Sequence, residues 1–303
     1  MAKLQVRNFP DDIFSYIEQA AAESDRSIEG ELRHTLRRVY TPQPEEPPQR
    51  GLLAQWQHDT GARLCHFIAR LKQDGYFKRG EPGDAMHVAR LAGEPSPAYL
   101  LRCMEGDEAL SFELADRLAQ RFDGNAHWLL SGSGLPFKAE TLSSSTWKGF
   151  FDAATDKDLF HLIRISVAKH AGMLLCIRHN TAENSYRSGF VTEQFLLHNG
   201  MGSGGSGNLF RFIEYLKKNG RTIRTFGHSL ELPEGEEVDH GHHHPLYYLR
   251  HKHICESQWL YKVMVGERPG PWLSDFDYYL KKLAETPFES ELQAPQAQEA
   301  EHG

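Results

Sequence analysis

The opening segment decides the fold of this chain: residues 3–40 have the sequence KLQVRNFPDDIFSYIEQAAAESDRSIEGELRHTLRRVY. Polar and apolar side chains alternate at its start, which places Lys3, Gln5 and Arg7 on one face of a predicted strand. Two predicted amphipathic helices follow, joined by a short turn. A lone strand leaves its backbone hydrogen-bonding groups unpaired, and so short a segment has a marginal core. We therefore predict a dimer in which two such strands pair into a ribbon.

The strand KLQVRNFP, the helix PDDIFSYIEQAAAES and the turn DRSIEGELRHTL resemble the ribbon-helix-helix family of DNA-binding proteins, of the Arc and MetJ type. In that family the paired ribbon enters the major groove and its outward side chains contact base edges. Carried over by position, the base-contacting residues are Lys3, Gln5 and Arg7, whose side chains suit guanine and adenine. Ser27 is predicted to cap the second helix, where its hydroxyl and the backbone amides would face phosphate. The alternative is an ordinary strand and helical hairpin within a larger core.

The resemblance also implies an ion-pair cluster at the helical turn. Arc carries a buried Arg–Glu–Arg cluster. In this chain Arg26 and Glu31 match two of its members, whereas Thr35 stands at the third position. We therefore expect the ion pairing here to differ from that of Arc, without consequence for DNA contact.

Composition limits the remaining possibilities. A chain of 303 residues has room for roughly two or three domains. Its formal net charge of −7 argues against indiscriminate coating of nucleic acid, so DNA contacts are expected from local basic faces. No apolar run approaches a membrane span, and the first residues lack the apolar region of a signal peptide. We expect a cytoplasmic protein whose scattered cysteines remain thiols. These are Cys65, Cys103, Cys176 and Cys255.

The middle of the chain is predicted to be helical. Thr60 is expected to precede one helix, Asp84 to cap a second that Gly93 ends, and Ser111 to begin a third that Gly124 ends. Two short helices joined by a tight glycine-containing turn are typical of the helix-turn-helix arrangement.

Residues 83–137 resemble the Xre/Cro-type helix-turn-helix family, most specifically in the ending SFELADRLAQRFDGNAHWLLSGSGLPF. By position, the resemblance implies a recognition helix over residues 96–104. Its expected DNA-facing members are Ser96, Ala98, Tyr99 and Arg102. The surrounding surface is less basic than that of many DNA-binding domains, which leaves open a module used for dimerisation instead.

Residues beyond a serine-rich bridge at 142–146 are predicted to form an α+β domain. Amphipathic helices are expected over residues 208–218 and after Ser274. The glycine-rich run 200–207 could cradle a phosphate, but no Lys-Ser/Thr pair follows it, which favours a mobile loop. β-Branched and aromatic composition predicts strands at residues 160–167, 173–177, 189–197, 221–230, 246–251 and 259–265.

A histidine-rich segment lies near the end of this region, with members at positions 240, 242, 243, 244, 251 and 253. Alternation along a predicted strand would place His251, His253 and Cys255 on one face, where they could hold zinc or copper. The competing interpretation is a histidine-rich surface loop, since no carboxylate has the spacing of a zinc hydrolase. We favour that interpretation and predict no metal site, no cofactor and no enzyme activity.

The chain is thus predicted to be a multidomain α+β protein. Its predicted parts are an N-terminal ribbon-helix-helix domain (1–40), a proline-rich linker (41–51), an all-α helix-turn-helix middle domain (52–140), a C-terminal α+β domain for sensing or oligomerisation (146–288) and a disordered tail (289–303). The linker, if extended, would reach roughly 30 Å at about 3.1 Å per residue.

These features together predict a dimeric, sequence-specific transcriptional regulator that acts as a repressor. Its expected partners are double-stranded DNA, a second or further copies of itself, and a small-molecule or protein effector at the C-terminal domain. Two alternatives belong to other classes. One is a DNA-organising or plasmid-partition protein, and the other is an enzyme of unknown type housed in residues 146–288.

Overall fold

The structure is a computed structural model of the 303-residue chain. It describes residues 6, 8–40, 51–152, 154–166, 170–191, 194–230, 241–253 and 258–288. The chain divides into two compact units, Met1–Leu53 and Ala54–Gly303. None of the helices that the structure describes combines the length and the apolar character needed to cross a bilayer.

The first unit contains the two predicted helices, α1 (Asp11–Glu23) and α2 (Ile28–Tyr40). Pro10 is the residue before α1 and keeps an extended backbone with ψ 133°. Asp11 and Asp12 occupy the first turn, where their charges complement the helix dipole. Basic residues close the last turn of α2, as the sequence predicts.

The second unit begins with five helices: α3 (Leu52–Gln73), α4 (Ala85–Leu91), α5 (Ala98–Glu105), α6 (Phe112–Arg121) and α7 (Ala126–Ser131). The predicted caps are present. Asp84 Oδ1 accepts the His87 amide of α4 at 2.8 Å, and Ser111 Oγ accepts the Leu114 amide of α6 at 3.2 Å. These caps satisfy amides that would otherwise lack a partner at each helix start.

Helix α3 begins at Leu52 rather than after Thr60. Its first turns are held by a tertiary contact, because Trp56 Nε1 donates to the Leu130 carbonyl at 2.7 Å. Further along, a Cβ on Gly61 would lie 2.6 Å from the Met104 carbonyl oxygen, so only glycine lets α3 approach the end of α5 this closely. The position of α5 therefore depends on α3.

A sheet follows the helices. Six described strands form it: β1 (Ala139–Thr141), β2 (Asp158–Ile165), β3 (Leu174–Asn180), β4 (Ser185–Val191), β5 (Arg224–Leu230) and β6 (Lys252–His253). Their order across the sheet is β1-β4-β3-β2-β5-β6. β2, β3 and β4 are antiparallel neighbours, whereas β2 pairs with β5, and β1 with β4, in parallel. The strand predictions for residues 160–167, 173–177 and 221–230 fall on β2, β3 and β5.

Side chains alternate between the two faces of this sheet. Phe160 and Leu162 pack into the larger cluster of buried residues, whereas Ile163 and Ile165 pack into the smaller one on the other face. Helices α8 (Trp147–Asp152), α9 (Gly202–Lys218), α11 (Trp259–Met264) and α12 (Asp277–Glu285) contribute to the larger cluster. Helix α10 (Pro245–His251) contributes to the smaller one.

Two of the strand predictions are wrong, because residues 246–251 belong to α10 and residues 259–265 cover α11. Their aromatic and β-branched composition favoured strands, but burial does not alternate along either segment. In α11 the buried residues are Trp259, Leu260, Val263 and Met264, which is the spacing of a helical face. The prediction for residues 189–197 is confirmed up to Val191, the last residue of β4, and is wrong for residues 194–197, which are not in a strand.

The glycine-rich run also differs from its prediction, since α9 begins at Gly202 and includes most of it. Each glycine inside a helix costs about 0.5–1 kcal/mol relative to alanine, so local propensity opposes this outcome. Tertiary contacts favour the helix instead. Ser206 is buried, and Gly207 lies close to α12, since a Cβ on it would be 3.5 Å from the Tyr279 hydroxyl. Packing has overridden propensity here.

The turn before α10 joins the sheet to the helices of the same unit. Asp74, at the end of α3 and 2% exposed, accepts His243 Nδ1 at 2.8 Å and the His244 amide at 2.7 Å. His244 Nδ1 accepts the Leu246 amide at 3.1 Å, which leaves Nε2 protonated and donating to Asp123 at 3.2 Å. Because these contacts are buried or partly buried, they help to hold the helical and sheet portions of the second unit together.

Candidate nucleic-acid interface

The first unit presents an apolar face to solvent. The apolar side chains along α1 are mostly uncovered, with Ile13 46% and Phe14 41% exposed, and Ala21 is the buried residue of this helix. Between residues 6 and 39, the exposed large apolar residues that the structure describes are Val6, Phe9, Ile13, Phe14, Tyr16, Leu36 and Val39. Helices this short do not bury such a stripe against each other alone, so a single copy of this unit has an incomplete core.

The predicted cap of α2 is present in the structure. Ser27 Oγ accepts the Gly30 amide at 3.1 Å. The first amides of a helix have no partner within the helix and are the groups that bind anions at helix starts. Ser27 itself is exposed. This arrangement has the chemistry of a phosphate contact, which is the role expected for it from the sequence.

The ion-pair cluster predicted at the helical turn is also present. Arg26 donates to Glu31 at 3.0 Å, and the Thr35 hydroxyl donates to the same carboxylate at 3.3 Å. The hydrogen bond from Arg26 lowers the pKa of Glu31 below its ordinary value. Thr35 thus supplies a neutral donor at the position where Arc has its second arginine.

The three strand residues predicted to contact bases, Lys3, Gln5 and Arg7, lie outside the described residues. Val6, between two of them, is described and is 61% exposed. The exposed basic residues of α2 that the structure describes are Arg33, Arg37 and Arg38. Arg33 pairs with Glu29 one turn away, which reduces its net contribution to a basic surface.

In the second unit, α4 and α5 form two short helices joined by a tight turn. Ser96 and Ala98 are exposed at the start of α5, and Arg102 is exposed one turn later. Tyr99 is only partly exposed: its hydroxyl donates to the Ala109 carbonyl at 2.7 Å and accepts the Ser111 amide at 2.9 Å. Its role as a DNA contact stays a prediction, and its hydrogen bonds join α5 to the start of α6.

Two arginines near α5 are each paired with an acidic side chain. Arg102 Nε lies 2.9 Å from Glu108, and Arg117 pairs with Glu94 while also donating to the Ala92 carbonyl at 2.9 Å. Both ion pairs would have to open, or be shared, before these arginines could bind phosphate. This surface is therefore less electropositive than its arginine content alone indicates.

Arg90 was missed by the sequence interpretation. It is exposed near the end of α4 and borders the same depression as Ser96, an open cavity of about 480 Å³ that also includes Met86 and His87. The signal was available in the sequence, because Arg90 precedes the predicted turn by a few residues. Arg90 belongs to the first helix of the pair, whereas the predicted contacts all belong to the second.

The histidine-rich segment does not have the predicted strand geometry. His251 ends α10, so the alternation that placed His251, His253 and Cys255 on one face is wrong, and Cys255 itself lies outside the described residues. His243 and His244 are bonded to Asp74 and to Asp123. Among the described residues, no three His, Cys, Asp or Glu side chains are grouped so as to hold a metal ion.

Comparison with known proteins identifies the first unit. Residues 2–40 match the family described as antitoxin FitA-like, ribbon-helix-helix. The chain carries a ribbon-helix-helix domain at its N-terminus. The ribbon-helix-helix prediction is thereby confirmed, and the match is to the FitA-like members of this fold. No curated protein and no solved structure gives a significant match to the chain. Assignment of the middle region to the helix-turn-helix family stays a prediction.

Proposed function

We propose that this protein is a homodimeric, sequence-specific DNA-binding regulator that represses transcription. The observation that carries the proposal is the ribbon-helix-helix match over residues 2–40. Two copies would pair their strands into a ribbon that enters the major groove, with Lys3, Gln5 and Arg7 facing base edges. The amides at the start of α2 would hold a phosphate on each side.

Dimerisation has independent support in the uncovered apolar stripe of the first unit. Ile13, Phe14 and Leu36 are between 38% and 46% exposed in one copy. Covering such residues stabilises a complex by about 25 cal/mol for each Å² of apolar surface buried. A second copy of the same segment supplies a matching apolar surface, and the twofold symmetry of a dimer suits a palindromic operator.

Replacement of Arg7 by alanine tests the base-contacting role. We expect Arg7→Ala to weaken binding to the selected operator by ~1–3 kcal/mol while the dimer remains folded, because one bidentate guanine contact is lost. Fluorescence anisotropy with operator and scrambled duplexes measures the effect, with Lys157→Ala as the control for a removed exposed cation. If Arg7→Ala unfolds the dimer instead, the assigned strand faces are inverted.

We further propose that α5 makes a second DNA contact through Ser96, Ala98 and Arg102. Arg102→Ala is expected to weaken operator binding by about 1 kcal/mol, since the side chain must first leave Glu108. In a nuclease footprint, the DNA segment that α5 protects should be lost, whereas the segment that the ribbon protects should remain. Arg187→Ala is a matched control, because Arg187 is similarly exposed and also paired with a carboxylate, that of Glu140. An unchanged footprint would argue for a module with another role, such as dimerisation.

A second candidate function follows from the description of the matched family, whose members are named antitoxins. In that case the protein would also bind a toxin through residues outside the ribbon-helix-helix domain. Depletion of the protein in its host separates the two functions. Growth arrest that is relieved by deleting a second gene supports an antitoxin, whereas unimpeded growth with a raised transcript supports a regulator alone.

A further inference from the structure

A cleft on the second unit combines aromatic walls with cationic side chains. Its volume is about 410 Å³, within the range of small-molecule sites, and it lies between α8, α9 and the segment that contains Phe195. Trp147 and Tyr215 meet edge to face at its side, with ring centroids 5.0 Å apart. The buried ring of Phe195 adds to its apolar lining. The cleft thus offers flat apolar surfaces of the size of one aromatic ring system.

The charges in the cleft are unbalanced. Lys218 is neutralised by Glu214 at 2.8 Å, but the other two cations have neutral neighbours among the described residues. Lys148 Nζ lies over the rings of Trp147 and Tyr215, at 5.6 Å and 5.9 Å from their centroids. Arg211 donates only to neutral oxygens, those of Gly207 at 3.3 Å and Asn208 at 2.6 Å. Within the described parts of the chain, these two positive charges border the cleft with no carboxylate paired to them.

We propose that this cleft binds an aromatic organic anion with the chemistry of a mononucleotide. The ring would lie against Trp147 and Tyr215, and the anionic group would bind Lys148 and Arg211 by charge-assisted hydrogen bonds. Gln194 and Asn219 line the same cleft and carry amides that can hydrogen-bond the edge of a base. The volume suits one such molecule rather than a strand of nucleic acid. If the proposed regulatory function holds, this ligand is the effector; binding itself does not rest on that function.

Isothermal titration of the full-length protein tests the site without DNA. The probes are AMP, GMP, adenosine and inorganic phosphate. We expect at least one nucleotide to bind, with adenosine and phosphate each at least tenfold weaker, because each supplies half of the interaction. Lys148→Ala and Arg211→Ala should each weaken nucleotide binding about tenfold. Lys157→Ala, which removes an exposed cation away from the cleft, should leave it unchanged.

Three outcomes would overturn the site. They are the absence of heat from both nucleotides at millimolar concentration, equal binding of phosphate and nucleotide, and unchanged affinity in both cleft variants when circular dichroism shows them folded. Preference for a single-stranded oligonucleotide over a mononucleotide would likewise exclude a small-molecule site. A nucleotide that binds but leaves operator affinity unaltered would uphold the site and refute its effector role.

Discussion

Removal of residues 1–40 is expected to reduce affinity for the operator by about 100-fold or more. The deletion would remove the proposed ribbon and, with it, the apolar surface proposed to join two copies. Only the proposed contact through α5 would then remain in each molecule, and the gain from simultaneous binding by tethered modules, typically 10²–10⁴-fold, would be lost. Residues Ala54–Gly303 form their own compact unit, so the truncated chain should keep its fold. Anisotropy titrations and light scattering measure the affinity and the mass.

A point substitution separates loss of the dimer from loss of the contact residues. Leu36 is 38% exposed in one copy and belongs to the apolar stripe, so Leu36→Glu should change a monomer little but place a charge in the dimer interface. We expect dissociation to monomers at micromolar concentration and loss of operator binding, with Lys3, Gln5 and Arg7 intact. Ala22→Glu on the exposed side of α1 is the control and should remain dimeric. Operator binding by a monomeric Leu36→Glu protein would refute the ribbon.

Of the substitutions predicted here, that of Asp158 is expected to lower the free energy of unfolding most. Its carboxylate is fully buried at the start of β2 and receives Arg178 Nη2 at 2.8 Å and Nε at 3.1 Å. The Thr155 amide, at 2.7 Å, and hydroxyl, at 2.8 Å, complete the site together with Asn180 at 3.2 Å. Asp158→Asn would remove the carboxylate charge that receives two hydrogen bonds from the mostly buried Arg178. Breaking a buried pair in this way costs about 3–5 kcal/mol, so unfolding by urea at pH 7 should occur at a much lower concentration.

The same pair makes the stability depend on pH. Burial alone would raise the pKa of Asp158, but the hydrogen bonds from Arg178 and Thr155 outweigh it and hold that pKa well below its usual range. A carboxylate whose pKa is lowered by folding stabilises the protein above the unfolded value of about 3.9 and loses this effect as pH falls toward the folded value. The difference between wild type and Asp158→Asn should therefore be largest near neutrality and shrink below about pH 4.

Asp156→Asn provides the matched control for this comparison. Asp156 lies two residues earlier, is 79% exposed and pairs with Lys157 at the surface. Surface pairs of this kind contribute about 0–1 kcal/mol, so the control should unfold at nearly the wild-type urea concentration. Equal stability of the two variants at pH 7 would show that the buried pair does not stabilise the folded sheet.

Some elements were predictable because their signals are local. Capping side chains satisfy amides within three residues, and Ser27, Asp84 and Ser111 all cap as predicted. The paired helices of the first unit were likewise evident from their spacing and turn. The candidate base-contacting residues depend on strand alternation alone, which the sequence also displays directly.

Other elements depended on contacts that no local pattern reveals. Residues 246–251 and 259–265 have strand-like composition but form α10 and α11, which pack on opposite faces of the sheet. The glycine-rich start of α9 has poor helix propensity and is helical nevertheless. Lys148 and Arg211, which are distant in sequence, line the same cleft. In each case the deciding free energy comes from long-range packing, which exceeds differences in local propensity.

The sequence alone thus determined the two helices of the first unit, their caps and the resemblance to ribbon-helix-helix proteins, because these follow from the chemistry of neighbouring residues. Tertiary structure alone determined the hydrogen-bond partners of the histidine-rich turn before α10. Asp74 and Asp123 accept hydrogen bonds from His243 and His244, although they lie more than a hundred residues away along the chain. A buried carboxylate needs a donor, and only the folded chain places one beside it.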